Sequence, residues 1–303
     1  MTPASILPAF AAVFLAPLLL GVIGRTKAIA VGRTGPPLLQ PYYDLAKLLR
    51  KGAVYSRTTT WVFRAGPVVG LAAVLCAAAV VPLGGVPAWC AFEGDMFVVA
   101  YLLALVRFAT VVAALDTGSS FEGMGASREV TFAAAAEPVL LLALAVVGRQ
   151  VGSLSLSTMY AAVDAAAWSR AAPAFALLGG ALAVVFLAEN GRVPVDDPTT
   201  HLELTMIHEV MVLDHGGPDL AFILYCGAVK LWLLGALLVG LLVPVRSGNV
   251  WLDSAAALAG MFGFAVVTGI IECSMARWRL VRVPQLLVGA GVMSALALAL
   301  TLR

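Results

Sequence analysis

The stretch Leu220-Ala-Phe-Ile-Leu-Tyr-Cys-Gly-Ala-Val-Lys-Leu-Trp-Leu-Leu-Gly-Ala-Leu-Leu-Val-Gly-Leu-Leu-Val243 decides the class of fold. It holds one charge, Lys230, and no proline. A helix rises 1.5 Å per residue, so about 20 apolar residues cross the hydrocarbon layer of a bilayer. Seven further runs of this kind lie on either side of it, at roughly 4–24, 65–82, 96–115, 131–148, 171–188, 254–272 and 284–302. The composition agrees: 61% of the 303 residues are hydrophobic and 12% are charged, against about 25% charged in a soluble domain. Strand alternation is absent and the runs are too long for barrel strands, so helices must satisfy the backbone in lipid. The expectation is an all-α polytopic membrane protein with eight spans. A soluble enzyme, a nucleic-acid binder and a disordered chain are excluded. No basic residue precedes the first run and no cleavage site follows it, so it reads as a retained span. No internal repeat and no second domain are visible, and residues 1–303 read as one integral membrane unit.

The few charges are unevenly placed. The loops after spans one, three, five and seven hold 13 of the 19 Lys and Arg residues, the opposite loops four, and Arg107 and Lys230 lie within spans. Positive residues mark the cytoplasmic side, so both ends of the chain are expected outside. Twelve of the 17 acids lie on or near the same face. Acids contribute little to orientation, so this clustering points to docking on the cytoplasmic side.

Three cytoplasmic segments carry the motifs. In the first, Leu45, Leu48 and Leu49 recur at helical spacing after Pro36-Pro37, with Asp44, Lys47 and Lys51 on another face. This reads as a short amphipathic helix in the membrane interface, or as a solvated connector with basic anchors. In the second, Phe121-Glu122-Gly123-Met124-Gly125-Ala126-Ser127-Arg128-Glu129 lacks the strand, the third glycine and the Gly-Lys-Ser/Thr of a nucleotide loop. Its glycines are expected to permit a tight bend before span four. The third, 188–219, holds seven acids, all three histidines and one arginine. Glu189 and Arg192 are three apart and close enough to pair on a turn. Asp197-Pro198 and Thr200 with Glu203 have the spacing of helix caps. His201, His208 and His215 recur every seven residues, which a helix would place on roughly one face. Two turns separate neighbours by about 10 Å, too far to share a metal directly. Hydrogen bonding at an interface is the expected role, with a proton relay as the alternative.

Glu137, Arg107 and Lys230 sit inside apolar runs. A charge at the bilayer centre costs at least about 2.5–3.5 kcal/mol, so such groups pair between helices, reach for the interface, or conduct protons or ions. Cys76, Cys90, Cys226 and Cys273 show no Cys-x-x-Cys spacing. They read as small buried hydrophobes, not as a zinc, nickel or iron–sulfur site.

At these residues the chain resembles a known family. Ala188-Glu189-x-x-Arg192-x-Pro194-x-Asp196-x-Pro198 resembles the signature loop of the complex I membrane subunit that forms much of the quinone chamber. Leu38-Leu39-Gln40-Pro41-Tyr42-Tyr43-Asp44, the Phe121–Glu129 string and His201-Leu-Glu-Leu-Thr-Met-Ile-His208-Glu209 resemble most the branch found in membrane-bound group 4 [NiFe] hydrogenases, of formate hydrogenlyase and hydrogenase-4 type. The resemblance spans essentially the whole chain.

It implies a non-catalytic subunit that anchors a peripheral arm and couples its chemistry to proton or sodium translocation. Cofactors are implied on partners, not here: [NiFe] and iron–sulfur centres on the hydrogenase large, small and iron–sulfur subunits. Antiporter-like membrane subunits would move the ion. By motif position, Glu137, Glu189, Arg192, Asp196, Glu203 and Glu209 would form the coupling path. Gln40, Asp44, Lys47, Glu122, Arg128, His201 and His208 would face the arm. Quinone-reducing relatives often continue the loop with further acids, where Thr199 and His201 stand here. That fits a branch that need not bind quinone. The competing readings are a quinone-binding subunit of a complex I-like NADH:quinone oxidoreductase and a self-contained transporter. The transporter would predict repeat symmetry and paired broken spans, which the sequence lacks. The resemblance also implies a prokaryotic cell membrane.

Overall fold

The computed structural model describes residues 3–196 and 206–302. A turn of 3-10 helix, Pro3–Ile6, leads into α1 (Leu7–Ala30). There follow α2 (Gln40–Leu49), α3 (Trp61–Val80), α4 (Asp95–Asp116), α5 (Ser120–Val151), α6 (Leu156–Ala162), α7 (Ala165–Glu189), α8 (Gly217–Leu242), α9 (Val250–Ser274) and α10 (Val283–Thr301). Eight of these elements, all but α2 and α6, are long and apolar enough to cross a membrane. The chain is an all-α, multi-pass membrane protein.

Helix α8 runs through the middle, packed by α1, α2, α3, α7 and α9. Trp232, Leu233, Leu237, Leu238 and Leu241 on it are at most 1% exposed. Lipid is as apolar as leucine, so helices gain from close packing rather than from leaving water. Small residues supply that approach: a Cβ on Gly66 of α3 would lie 3.1 Å from the Ala109 carbonyl of α4. Where α4 ends, Asp116 accepts from the Thr60 N–H at 2.7 Å and the Thr60 hydroxyl at 2.9 Å. Thr60 in turn caps α3 by accepting from the Val62 N–H at 3.2 Å.

Prolines interrupt four spans, at Pro17, Pro67, Pro138 and Pro173. Each frees a carbonyl one turn earlier, which must find another donor in lipid. Pro17 frees the Val13 carbonyl, and the Tyr225 hydroxyl of α8 donates to it at 2.7 Å. The Tyr42 hydroxyl of α2 donates to the adjacent Phe14 carbonyl. Thus α2 is the amphipathic helix expected, but it leans against the buried stretch of α1 and against α8. Ahead of Pro173, α7 is broken at Ala171.

Three local expectations are corrected. The segment 121–129 does not bend, because α5 is helical from Ser120. Gly125 serves close approach instead: a Cβ there would strike Val210 and come within 2.9 Å of Met211. The short α6, anchored by Asp95 accepting from the Leu156 N–H at 2.6 Å, was not foreseen. Of the cysteines, only Cys226 is buried; all four are free thiols. The expected caps at Asp197, Thr200 and Glu203 lie outside the described residues.

Candidate functional site: a buried chain of charges

Arg107, near the middle of α4, is 8% exposed and grips three carboxylates. Its Nε donates to Glu129 of α5 at 3.1 Å, one terminal nitrogen to Glu137 of α5, and the other to Glu189 of α7 at 2.5 Å. The second oxygen of Glu189 lies 3.3 Å from Lys230 Nζ on α8. Four spans, α4, α5, α7 and α8, therefore meet through charged groups. A guanidinium suits this role because it presents five donors in a rigid fork and stays charged.

The chain continues toward the loop that follows α7. Glu129 Oε2 faces His208 Nε2 at 3.2 Å, and His208 Nδ1 faces Asp196 Oδ2 at 3.5 Å. Asp196 Oδ1 pairs with Arg277 at 3.0 Å. The second oxygen of Asp196 also accepts the backbone N–H of Ile207 at 3.1 Å, which fixes the start of the turn bearing His208. Gly191, at φ +56°, holds the loop against the imidazole; a Cβ there would lie 2.7 Å from Nδ1. Only glycine adopts that conformation at no steric cost.

Charge balance shows what His208 does. Among the described residues the chain holds Glu129, Glu137, Glu189 and Asp196 against Arg107, Lys230 and Arg277. A protonated His208 equalises the two sides; a neutral one leaves one negative charge over. Burial disfavours the imidazolium, and Lys230 adds to that. The Glu129 and Asp196 carboxylates outweigh both, so the His208 pKa stands above its ordinary value. Burial likewise works against ionised Asp196, yet His208 and Arg277 hold its pKa below the usual carboxylate range. The arrangement favours a proton on His208, between two carboxylates.

A second cluster stands beside it. Glu272 of α9 pairs with Lys27 of α1 at 2.8 Å and with Arg192 at 3.1 Å. The expected Glu189–Arg192 pair is therefore not formed. Arg192 lies beyond the end of α7, where the chain leaves helical geometry, so the i, i+3 relation no longer brings the two together.

A cavity of about 250 Å³ opens onto this region. Leu20, Pro67, Val106, Ile223 and Leu231 give it an apolar wall, while Glu189, Arg192, Asp196, His208 and Lys230 supply its polar end. A smaller cavity, about 40 Å³, lies between Tyr101, Leu141 and the Arg107–Glu137 pair.

The site residues anticipated from sequence divide as follows. Glu137, Glu189 and Asp196 join one network. Arg192 and Glu209 line the larger cavity. Glu203 and His201 lie outside the described residues. Gln40 donates to Asp44 at 2.9 Å on half-buried α2, and Lys47 is exposed. Arg128 donates to the Met206 carbonyl at 2.8 Å. Glu122, expected on the arm-facing surface, is 1% exposed and turned inward. His208, expected to face the arm, joins the ion chain. His208 and His215 do not share one helix face: a 3-10 turn, Glu209–Val212, separates them. His215 stacks on Phe63 at 3.9 Å. From sequence, Arg107 and Lys230 are intramembrane charges that pair between helices or conduct, without named partners, and Glu129, Glu272 and Arg277 have no individual role. Three acids within reach of one mid-span arginine was the available signal.

Eight spans around a buried ion chain, with a signature loop at one end of it, define a membrane subunit of the complex I type. The sequence profile of the NADH dehydrogenase family matches residues 4–302, and the chain belongs to that family. It is 30% identical to formate hydrogenlyase subunit 4 of Escherichia coli (strain K12), over 90% of this chain and 89% of that one. It is 33% identical to hydrogenase-4 component C of the same organism, over 76% of this chain and 71% of that one. A chain of the membrane-bound sulfane sulfur reductase, an archaeal respiratory membrane complex, shares the fold with a TM-score of 0.81 at 21% identity, over 97% of this chain and 98% of that one.

Proposed function

We propose that this chain is the membrane-anchoring and coupling subunit of a multisubunit [NiFe]-hydrogenase complex. In this reading, redox chemistry in a cytoplasmic arm drives proton or sodium movement through antiporter-like neighbours. The observation that carries it is the unbroken series Asp196–His208–Glu129–Arg107–Glu189–Lys230, running from the cytoplasmic loop to the middle of the membrane. The arm's event changes the local charge or protonation at Asp196 and His208. Each neighbour in the series then responds to a changed field at 2.5–3.5 Å, in a medium where charge is poorly screened. Nickel and iron–sulfur centres reside on the large, small and iron–sulfur subunits. The Escherichia coli relatives support a prokaryotic cell membrane, and the positive-inside bias supports the signature loop on its cytoplasmic side.

The test is Glu189→Gln and Asp196→Asn in the assembled complex, followed by hydrogen evolution and ion pumping in membrane vesicles. Coupled turnover is expected to fall at least about tenfold while dye-linked hydrogen turnover of the arm is retained, the loss of an interaction worth about 1.4 kcal/mol or more. Undiminished pumping in both assembled variants overturns the reading.

The larger cavity favours a second reading, a complex I-like subunit that admits quinone. Its volume, about 250 Å³, falls just below the usual range of small-molecule sites, about 300–1,000 Å³. Photolabelling of the intact complex with an azidoquinone, competed by excess quinone, separates the two.

A further inference from the structure

The turn that bears His208 is held at two places by one helix face. Glu122 and Glu129 are seven residues apart on α5, two helical turns, so both carboxylates lie on nearly the same side about 10 Å apart. Between them stands Gly125, whose missing side chain admits Val210, Met211 and the Ile207 carbonyl. Segment 207–214 thus lies along α5. At its near end His208 meets Glu129 at 3.2 Å. At its far end the backbone N–H of Asp214 donates to Glu122 Oε1 at 3.1 Å. The neighbouring His215 imidazole is 6% exposed and lies flat on Phe63, with 7° between the rings. Burial pushes that imidazole below its ordinary pKa against the pull of Asp219 and Asp214, which keeps the stacked ring neutral.

The other oxygen of Glu122 is buried without a hydrogen-bond partner. The Thr117 hydroxyl, which donates to the Ala114 carbonyl at 2.7 Å, also stands close enough to favour the Glu122 carboxylate. A carboxyl group kept in such a place carries a cost that its one backbone contact must justify.

We propose that Glu122 is a positioning residue for coupling: it fixes the far end of the turn and thereby keeps the His208 imidazole between Glu129 and Asp196. This rests on the coupling reading above. It assigns Glu122 no direct part in proton transfer, because what the turn needs from it is one acceptor oxygen. The charged groups that act on His208 are Glu129 from α5, Asp196 from the signature loop and Lys230 from α8. Releasing the turn withdraws the imidazole from the two carboxylates.

The test compares Glu122→Gln with Glu122→Ala in the assembled complex, reading the pH dependence of coupled turnover in vesicles. The amide oxygen still accepts the Asp214 N–H, so Glu122→Gln should keep at least about half the wild-type rate and the same alkaline midpoint. Glu122→Ala should lower that midpoint by about one unit or more, the size of shift a lost opposite charge produces. Gly125→Ala loosens the same turn from between its anchors and should move the midpoint the same way. It decides the matter if Glu122→Ala does not assemble. Glu122→Gln behaving like Glu122→Ala, or an unmoved midpoint in the assembled loosening variants, overturns the proposal. Glu189→Gln and Asp196→Asn run alongside keep the two claims distinct: normal coupling in both sinks the coupling reading, while impaired coupling in either with an unmoved midpoint in the loosening variants sinks only the role of Glu122.

Discussion

Arg107 holds three carboxylates on two helices, and among the described residues no other lysine or arginine pairs with Glu129 or Glu137. Removing one partner of a buried ion pair costs about 3–5 kcal/mol, because the remaining charge is left uncompensated. Arg107→Leu should therefore prevent assembly or lower the unfolding midpoint of the purified complex sharply. Glu137→Gln should lower it far less, since the Glu137 side chain is 42% exposed. Arg107→Lys should fall between, because one ammonium cannot serve three acceptors at fork geometry. The pH response is set one step along the chain. The raised His208 pKa contributes stability that is complete below the ordinary imidazole value and is lost as pH rises through the elevated one. The depressed Asp196 pKa contributes stability present above the ordinary carboxylate value and lost as pH falls through the depressed one. Thermal unfolding against pH should show both limbs, and His208→Gln should remove the alkaline limb and, because His208 helps hold the Asp196 pKa down, shrink the acid one. An alkaline limb that survives His208→Gln would place the titrating group elsewhere.

At the scale of elements, the clasp between α1 and α8 shows how a sequence defect becomes a contact. Pro17 deletes the N–H that would serve Val13, and Tyr225 supplies the replacement donor at 2.7 Å. Tyr225→Phe should cost about 1 kcal/mol, the net worth of one hydrogen bond plus part of the exposed carbonyl's penalty. In a Pro17→Ala background the helix can bond Val13 itself, so the same substitution should cost distinctly less. A double-mutant cycle on thermal unfolding measures the difference, and equal costs in both backgrounds would disprove the coupling. The eight spans were legible because each carries its own signal, a long apolar run, that needs no partner to be read. So was α2, whose leucines repeat at helical spacing. The Glu189–Arg192 pair was misread because local spacing assumes that the helix continues, and α7 ends at Glu189. Segment 121–129 was misread for a related reason. Its glycines were taken as conformational freedom, whereas Gly125 serves contact with Val210 and Met211, 85 and 86 residues further on. The ion chain was partly legible: single buried charges could be seen, but their pairing depends on which spans are neighbours.

For the whole molecule, the decisive asymmetry is that the charged loop, the cavity's polar end and α2 all gather at one end of the bundle. The excess of Lys and Arg there predicts which compartment that end faces, and the chain carries its own probes for the question. Cys90 lies between α3 and α4 and Cys273 at the far end of α9, on opposite sides of the bundle, and both are exposed. Cys226 is buried within α8. A membrane-impermeant maleimide added to intact cells should label Cys90 and spare Cys273. Inverted vesicles should give the reverse. Cys226 should react in neither until the protein is denatured, which serves as the internal control for folding. Single-cysteine variants assign each signal. The outcome bears directly on mechanism, because the Asp196–His208 end of the ion chain shares its side with Cys273. Labelling of Cys273 from outside intact cells would turn that end away from the cytoplasm, and a cytoplasmic redox arm could then no longer act on the charges it is proposed to drive.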